Sequence, residues 1–196
     1  DQTFALITDY LSNQIRKIIL STLQVTSLAG QTTSGTTNGI GSNALFHSPN
    51  WASISSDQTF AVISEWDNPM IRKLTLSTTE VITLAGQTAS GYANGVGTNA
   101  QFNNIASVTL SSDNTYALVS DFSFFQIRKL IMSTLVVSVF AGSSSGSANG
   151  IGTNAQFNRP NAVGFSPDNS FALITEYNNH QIRKLIISTV QVSLLA

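Results

Sequence analysis

Four acidic residues each precede an arginine by seven positions, and they carry much of the reactive chemistry in this chain. The sequence has only ten acidic and nine basic residues among 196. The pairs are Asp9 and Arg16, Glu65 and Arg72, Asp121 and Arg128, and Glu176 and Arg183. An acid and an arginine at this spacing can meet across a strand–turn–strand hairpin, where arginine suits a bidentate carboxylate contact. A ring of such charges could bind an ion, but a feature present in every unit favours structural ion pairs.

The other reactive side chains do not form a catalytic or metal-binding set. The chain has no cysteine, and its two histidines, His47 and His180, occupy different positions in the repeat. Phosphate-binding glycine loops are followed by a helix or by a Lys-Ser/Thr pair, and the glycine-rich segments here have neither. We therefore expect no enzyme activity, no cofactor and no metal site within these residues.

The acid–arginine pairs belong to an internal repeat. Asp-Gln-Thr-Phe-Ala opens the chain, and related sequences return at spacings of 56, 56 and 55 residues, beginning at Asp1, Asp57, Asp113 and Asp168. Each unit alternates β-branched and aromatic segments with turn residues, and no segment has the apolar periodicity of a helix. In the second unit this pattern predicts strands over residues 51–55, 59–65, 71–77 and 80–85.

Four short strands in a 56-residue unit predict an all-β fold, a β-propeller made of four-stranded antiparallel blades. We assign residues 1–30 to a partial blade with three strands, and residues 31–86, 87–142 and 143–196 to complete blades of one propeller segment. The chain thus holds about 3.75 blades. Because the first unit lacks its first strand and no initiator methionine is present, we expect the segment to belong to a longer array.

Twelve of the thirteen glycines lie in three linkers between the units. The linkers share the pattern Asn-Gly-aliphatic-Gly-Ser/Thr-Asn-Ala-x-Phe, in which we expect glycines at positive-φ positions. The shared phenylalanines, Phe46, Phe102 and Phe157, are expected to anchor each linker between adjacent blades. The aspartate that opens each unit follows Ser-Ser or Ser-Pro where a turn precedes it, which predicts an Asx turn. One carboxylate per turn is too few for calcium.

Aromatic residues that depart from the repeat are the candidates for binding a partner. Trp66 and Phe122 follow the acidic position, where Tyr10 and Tyr177 stand in the other units, so these four residues predict one aromatic site with a structural role. Phe124 and Phe125 form an apolar pair in a turn. With Trp51 and Tyr92 they make a candidate interaction surface, and packing of a phenylalanine against the neighbouring blade is the alternative.

The order of motifs in the fourth unit resembles the NHL-repeat β-propeller family. The matching residues are Ala155-Gln-Phe-Asn-Arg-Pro160, Ser166-Pro-Asp168, Glu176-Tyr-Asn-Asn179 and Ile182-Arg-Lys184. The resemblance covers the whole chain, although Asp-Gln or Asp-Asn replaces the family's Asp-Gly turn. It implies a propeller that commonly closes with about six blades. Its members include RNA-binding proteins, protein-interaction modules and, in one branch, metal-dependent lyases.

Charge and composition favour one of these functions. A net charge of −1 argues against nucleic acid as a partner, and the unmatched histidines argue against a lyase. We expect a non-catalytic structural or protein-interaction module whose partners are proteins or copies of itself. The alternative is a fragment of a propeller enzyme or ligand-binding propeller whose active site lies outside this segment.

Location and assembly follow from the same features. Charged residues make up 10% of the chain, and Ser, Thr and Asn together supply 65 of the 196 residues, which favours an extracellular or cell-surface protein with room for O-glycans on the linkers. No apolar run reaches the length of a membrane span. An unpaired strand and an exposed blade face predict completion by more of the chain or by copies, as a filament, a closed ring of a longer chain or a four-blade ring.

Overall fold

Short antiparallel strands make up about half of the residues of this protein. The computed structural model describes residues 3–196, in which four sheets follow one another along the chain. Asp1, predicted to open a turn, lies outside the described residues. The first sheet contains β1 (Phe4–Asp9), β2 (Gln14–Ile19) and β3 (Val25–Gly30), in that order.

The other three sheets have five strands each. The second contains β4 (Gly39–Ile40), β5 (Pro49–Ile54), β6 (Phe60–Glu65), β7 (Met70–Thr75) and β8 (Glu80–Gly86). The third contains β9 (Gly95–Val96), β10 (Ile105–Leu110), β11 (Tyr116–Asp121), β12 (Gln126–Ile131) and β13 (Val136–Ala141). The fourth contains β14 (Gly150–Ile151), β15 (Pro160–Phe165), β16 (Phe171–Glu176), β17 (Gln181–Ile186) and β18 (Gln191–Leu194).

The predicted all-β fold with propeller blades is confirmed, and each complete blade has one strand that the sequence did not reveal. In the second sheet the order is β4-β8-β7-β6-β5, so the predicted strands run consecutively from β5 to β8. The extra strand is the two-residue β4, which lies in the linker and pairs with the outer edge of β8. Each linker therefore begins its own blade at one edge, makes a 3₁₀ turn and ends in the strand at the opposite edge.

The hydrophobic core lies between neighbouring sheets. Phe102, fully buried, belongs to a cluster that combines Val62 and Ile71 of the second sheet with Val119 and Leu130 of the third. Phe46 and Phe157 are also fully buried, in the clusters that join the first two and the last two sheets. The predicted anchoring of the linkers between blades is confirmed. Each such side chain contributes roughly 3 kcal/mol by leaving water.

The two basic residues of each unit point to opposite faces of their strand, as successive strand residues must. Arg72 is fully buried, whereas the ammonium group of Lys73 lies over the ring of Phe60, 4.7 Å from its centroid. The same cation–π contact recurs in the other sheets, between Lys17 and Phe4, Lys129 and Tyr116, and Lys184 and Phe171. One dipeptide thus supplies a buried charge to one face and a surface contact to the other.

The predicted Asx turns are present at three units. The Oδ1 atom of Asp57 accepts hydrogen bonds from the Ser55 hydroxyl at 2.6 Å and from the Thr59 backbone amide at 3.1 Å. Asp113 and Asp168 make the same contacts in their own turns. These hydrogen bonds lower the pKa of all three carboxyl groups, that of Asp168 to about 2. Each of these carboxylates therefore stabilises the turn to which it belongs.

Candidate functional site

Three of the four acid–arginine pairs are buried contacts within a blade. The Nη1 atom of Arg72 lies 2.7 Å from the Oε1 atom of Glu65, and both side chains are inaccessible to solvent. The corresponding distances are 3.1 Å for Arg128 with Asp121 and 3.2 Å for Arg183 with Glu176, again with no exposed side-chain surface. One guanidinium nitrogen makes each contact, so the bidentate geometry that arginine could adopt is not used.

The remaining arginine hydrogen bonds hold the linker. Arg72 donates to the carbonyl oxygens of Leu45 at 3.0 Å and Thr37 at 3.2 Å, and to the Oδ1 atom of Asn38 at 2.9 Å. The second carboxylate oxygen of Glu65 accepts the backbone amide of His47. We call the acid and the arginine together the linker clamp. It does more than join one hairpin, because it fixes the path of the linker that enters the blade.

The linker clamp is the same in the third and fourth sheets. Arg128 donates to the Gln101 and Ala93 carbonyls and to Asn94, and Arg183 donates to the Gln156 and Ala148 carbonyls and to Asn149. The linker phenylalanine lies beside each guanidinium group, at 5.2 to 5.5 Å from ring centroid to Cζ. Every buried guanidinium therefore has an acid, two carbonyls, an asparagine amide and an aromatic ring around it.

Burial changes the acid–base properties of the linker clamps. Removal from water raises the pKa of Glu65 to about 7 and that of Asp121 to about 7, although the neighbouring arginine and a backbone amide act in the opposite direction. Burial also lowers the pKa of Arg128. Because the carboxylates of the buried clamps are inaccessible to solvent, a substrate could not reach them without opening the blade.

The first sheet holds the exposed version of the clamp. The Nη1 atom of Arg16 lies 3.7 Å from the Oδ2 atom of Asp9, and the two side chains are 39% and 27% exposed. Within residues 3–196 the Arg16 side chain donates no hydrogen bond to a linker. The ion pair that the spacing predicts is thus present but loose, and it lies at the surface.

A chain of aromatic side chains crosses the second, third and fourth sheets. The rings of Trp66 and Phe122 meet edge to face at 5.0 Å, and Phe122 lies 6.1 Å from Tyr177. The Arg159 guanidinium lies over Phe122 at 5.4 Å. We call Trp66, Phe122, Tyr177 and Arg159 the aromatic arc. The three aromatic residues follow the acidic position of the repeat and so could be grouped from the sequence, whereas nothing in the repeat linked Arg159 to them.

The linker ends hold the aromatic arc in place. The backbone amides of Trp66, Phe122 and Tyr177 donate to the carbonyl oxygens of Ser48, Asn104 and Arg159 at 3.0, 3.2 and 2.9 Å. Tyr177 is 62% exposed, while Trp66 and Phe122 are half-buried. The linkers therefore position a partly solvent-exposed apolar surface that spans three blades.

Tyr10, the fourth predicted member of this aromatic site, has a different neighbour. Its hydroxyl lies 3.4 Å from the Oδ2 atom of Asp67, which also accepts a hydrogen bond from the Ser48 hydroxyl at 2.5 Å. Tyr10 is thus linked to the second sheet through Asp67, and no ring contact joins it to the aromatic arc within residues 3–196.

The candidate interaction surface is divided between two places. Tyr92, which is 71% exposed, meets Phe124 edge to face at 5.6 Å. Phe125 ends the adjoining 3₁₀ turn in the left-handed conformation, with φ of 59°. Trp51 instead lines a groove of about 550 Å³ between β1, β5, β10 and β15, together with Phe4. A role for these residues in binding stays a prediction.

Residues 3–196 bring no three His, Asp or Glu side chains together in a way that could hold a metal ion. Over the same residues there is no helix with the length and hydrophobicity needed to cross a bilayer. The absence of catalysis expected from the sequence remains a prediction.

Comparison with known proteins supports the fold. No protein-family model and no curated protein matches the sequence. An auxiliary nutrient binding protein from Bacteroides thetaiotaomicron is similar to 97% of this chain over 45% of its own length, with 20% identity and a TM-score of 0.74. A putative phosphatase from the same organism has 14% identity and a TM-score of 0.73, over 98% of this chain and 46% of its own.

A nidogen/laminin complex is a further structural neighbour, with 11% identity and a TM-score of 0.67 over 98% of this chain and 60% of the other. At these identities the likeness shows the fold alone, which is that of a β-propeller. The chain spans about half the length of the two Bacteroides proteins it matches.

Proposed function

We propose that this chain is a non-catalytic interaction module of the NHL type, and that its partners are proteins or copies of itself. The aromatic arc is the observation that carries this proposal. Trp, Tyr and Arg are the residue types that contribute most to protein–protein binding, and here they form one partly exposed surface across three blades. The backbone amides of the three aromatic residues are hydrogen-bonded to the ends of the linkers, and this fixed backbone reduces the conformational entropy lost on binding.

The chemistry of the remaining groups supports an interaction role over catalysis. In three blades the acid and the arginine of the linker clamp are fully buried, so they could not act on a substrate. The Asx-turn carboxylates are fixed by hydrogen bonds within their own turns. Neither set leaves an accessible general acid or base beside a cavity, which is the arrangement that an active site needs.

We propose the NHL type because each residue of the two recurring NHL-like sequences, Ile-Arg-Lys and Ala-x-Phe, has an identifiable structural role in the blades. In the Ile-Arg-Lys sequence of each complete blade, the isoleucine is apolar, the arginine forms the clamp and the lysine covers an aromatic ring. The Ala-x-Phe sequence of the linker supplies the ring beside the same guanidinium group. We also propose an extracellular or cell-surface location, which rests on the low charge and the Ser- and Thr-rich linkers.

Sedimentation equilibrium of the whole chain, at protein concentrations from about 1 µM to about 1 mM, tests the interaction function with copies of the chain as the partner. We expect concentration-dependent association. Replacing both Trp66 and Tyr177 by alanine should weaken it at least tenfold, or by about 1.4 kcal/mol. The control is Ile82→Ala, which removes exposed apolar surface outside both the aromatic arc and the candidate interaction surface.

Two results would refute the role of the aromatic arc. One is a wild-type chain that stays monomeric throughout this range. The other is a Trp66→Ala, Tyr177→Ala double variant that keeps the wild-type circular dichroism spectrum and associates as strongly as the wild type.

A further inference from the structure

The glycine-rich linkers share a chemically labile dipeptide. Asn-Gly occurs three times in the chain, once in each linker, at Asn38, Asn94 and Asn149. In this dipeptide the backbone nitrogen of the glycine can attack the side-chain amide carbon of the asparagine, because glycine has no Cβ to hinder the approach. Asparagine is among the thermolabile residues of proteins. All three asparagines are exposed, so water can reach them.

The reaction needs no reagent other than water and hydroxide. Hydroxide removes the proton from the glycine nitrogen, which then forms a bond to Cγ of the asparagine. The Cγ–Nδ2 bond breaks, and the leaving amide group takes protons from water and departs as ammonia. Water then opens the five-membered succinimide at one of its two carbonyl carbons, which gives either aspartate or isoaspartate. Either product adds one negative charge to a chain whose net charge is −1.

The structure explains why each linker contains this dipeptide. Glycine is needed because a Cβ at Gly95 would lie 2.8 Å from the carbonyl carbon of Asn99, and the corresponding glycines of the other two linkers have the same close contact. Asparagine is needed because its Oδ1 atom accepts a hydrogen bond from the arginine of the linker clamp, at 2.8 Å from Arg128 to Asn94. The packing of the linker therefore requires both labile residues.

The closed linker clamp holds both reacting groups in place. Gly95 lies in β9, which pairs with β13, and the amide of Gly97 donates to the Leu135 carbonyl at 2.9 Å. Because hydrogen-bonded pairs recur at every second residue of an antiparallel ladder, the Gly95 amide also donates to β13. The nucleophile is thus directed away from the asparagine, while the Arg128 guanidinium holds the side-chain oxygen of Asn94.

The second blade holds its asparagine with one more hydrogen bond than the third. The Oδ1 atom of Asn38 accepts hydrogen bonds from Arg72 at 2.9 Å and from the Thr83 hydroxyl at 3.1 Å. In the third blade the position of Thr83 is occupied by Val139, whose side chain has no donor. Asn38 and Asn94 therefore differ in the number of hydrogen bonds that must break before the amide can turn.

We infer that the three Asn-Gly dipeptides are sites of spontaneous deamidation whose rate is controlled by the linker clamp. The reaction is suppressed while the clamp is closed and proceeds when the linker lifts from its blade. Isoaspartate adds one carbon to the main chain before the glycine, which the close contact at Gly95 and the pairing of β9 cannot accommodate. A converted linker cannot close again, so the modification permanently marks a linker that has opened. This inference goes beyond the proposed interaction function and does not depend on it.

Peptide mapping by mass spectrometry measures the conversion of each asparagine separately in the whole chain. The folded chain and the same chain unfolded in guanidinium chloride are incubated at one temperature and one mildly alkaline pH. We expect Asn38 and Asn94 to convert at least tenfold more slowly in the folded chain, because each must wait for local opening. Electron-transfer fragmentation distinguishes isoaspartate from aspartate, and both should form.

Two substitutions test the control exerted by single donors. Arg128→Lys keeps the charge but lacks the forked donor geometry, so it should speed the conversion of Asn94 at least tenfold. Asn38, which Arg72 still holds, is the control in the same molecule. Thr83→Val keeps the shape of the side chain and removes one donor from Asn38, which should speed the conversion of Asn38 about fivefold and leave that of Asn94 unchanged.

The effect of conversion on the linker can be measured in the modified chain. The additional negative charge allows anion-exchange chromatography to separate the converted molecules from the unconverted ones. In molecules converted at Asn94, amide hydrogen exchange of Gly97 and Val137 should be faster than in the unconverted chain, because β9 has separated from β13.

Acceleration confined to the blade that carries the substitution, in both variants, supports the inference. It is overturned if Asn94 converts as fast in the folded chain as in the unfolded chain. It is also overturned if Arg128→Lys leaves the rate at Asn94 unchanged or lowers it, since a lower rate would mean that the guanidinium promotes the attack. Equal acceleration of Asn38 and Asn94 in Arg128→Lys would overturn it as well, because global unfolding and not the local clamp would then control the reaction.

Discussion

Replacing Arg128 by leucine tests whether the linker clamp stabilises the blade through its buried environment. The change leaves Asp121 without its ion-pair partner in a position where neither side chain is exposed. It also removes the donor for the Gln101 and Ala93 carbonyls and for Asn94. Four acceptors lose their hydrogen bonds at once, while leucine keeps most of the apolar stem.

The expected loss of stability follows from this count. Removing one partner of a buried ion pair costs about 3–5 kcal/mol, because the other charge is left uncompensated. Each buried acceptor left without a donor adds about 1–3 kcal/mol where water cannot reach it. Protonation of Asp121, whose pKa burial raises to about 7, limits the cost at acidic pH. We therefore expect Arg128→Leu to lower the free energy of unfolding by about 5 kcal/mol near pH 8 and by less near pH 5.

Arg16→Leu is the matched control, because it makes the same change at the same position of the repeat. Here the ion pair is longer, at 3.7 Å, and both side chains are partly exposed. Exposed pairs of this kind contribute about 0–1 kcal/mol. The two substitutions should therefore differ by about 4 kcal/mol although the sequence around them is nearly the same.

Urea unfolding followed by circular dichroism measures both effects. Arg128→Lys serves if the leucine variant does not fold, since lysine keeps the charge but cannot reach four acceptors, and it should cost about 2 kcal/mol. Equal losses at Arg16 and Arg128, or a loss below about 1 kcal/mol for Arg128→Leu, would show that the buried contacts do not stabilise the blade.

Three further predictions concern pH, packing and backbone geometry. The pKa of Asp121 in the folded state, about 7, lies above its value in the unfolded chain, so the stability that Asp121 contributes is complete below about pH 4 and is lost as the pH rises through about 7. The free energy of unfolding should therefore fall between pH 5 and pH 8, and it should fall less in Asp121→Asn. Phe102→Ala removes a fully buried ring and should cost about 3–5 kcal/mol in urea unfolding, against under about 1 kcal/mol for the exposed Tyr92→Ala. Gly86→Ala should lower the free energy of unfolding by more than about 1 kcal/mol, because φ is +88° and a Cβ there would overlap the Pro69 carbonyl oxygen. Gly164→Ala is the control and should change the melting temperature little, because a Cβ at that position meets no other atom.

The fold and the ion pairs are largely readable from the sequence because both depend on local pairing. Each hairpin joins neighbouring strands, so the period of the repeat and the alternation within a strand locate most of the sheet. The acid and the arginine lie seven residues apart across one such hairpin, as in Glu65 and Arg72. Nothing beyond a single turn is needed to bring them together.

The function of the arginine in holding the linker is not readable in the same way. Its other partners lie 27 to 35 residues earlier in the chain, and two of the three are backbone carbonyls, which any residue could supply. The two-residue strand β4 has no sequence signature either, because it pairs with β8 through backbone groups that any residue could supply. A partial signal did exist, since the Asn-Gly and Ala-x-Phe elements of every linker recur at a fixed distance from the arginine.

The aromatic arc shows a second limit on predicting side-chain contacts from the sequence repeat. The positions after each acid could be grouped because they recur, and three of the four are joined by ring contacts. Arg159 could not be grouped, because its contact with Phe122 crosses between adjacent blades and depends on how the sheets are placed. Contacts within a unit follow from the repeat, whereas contacts between units require the three-dimensional arrangement.

The linker clamp supports both kinds of contact, because its acid, its arginine and the linker residues it holds lie in one blade, while that linker also packs against the preceding sheet. Arg72 fixes a linker that leaves β3 of the first sheet, and Phe46 of that linker packs into both sheets. In a repeat array, stability is a sum of terms within units and between neighbouring units. By holding the linker in place, the clamp helps the linker phenylalanine to couple neighbouring units, and it does so only where a linker covers the clamp. The same acid–arginine sequence is thus a buried structural element in three blades and an accessible surface in the first.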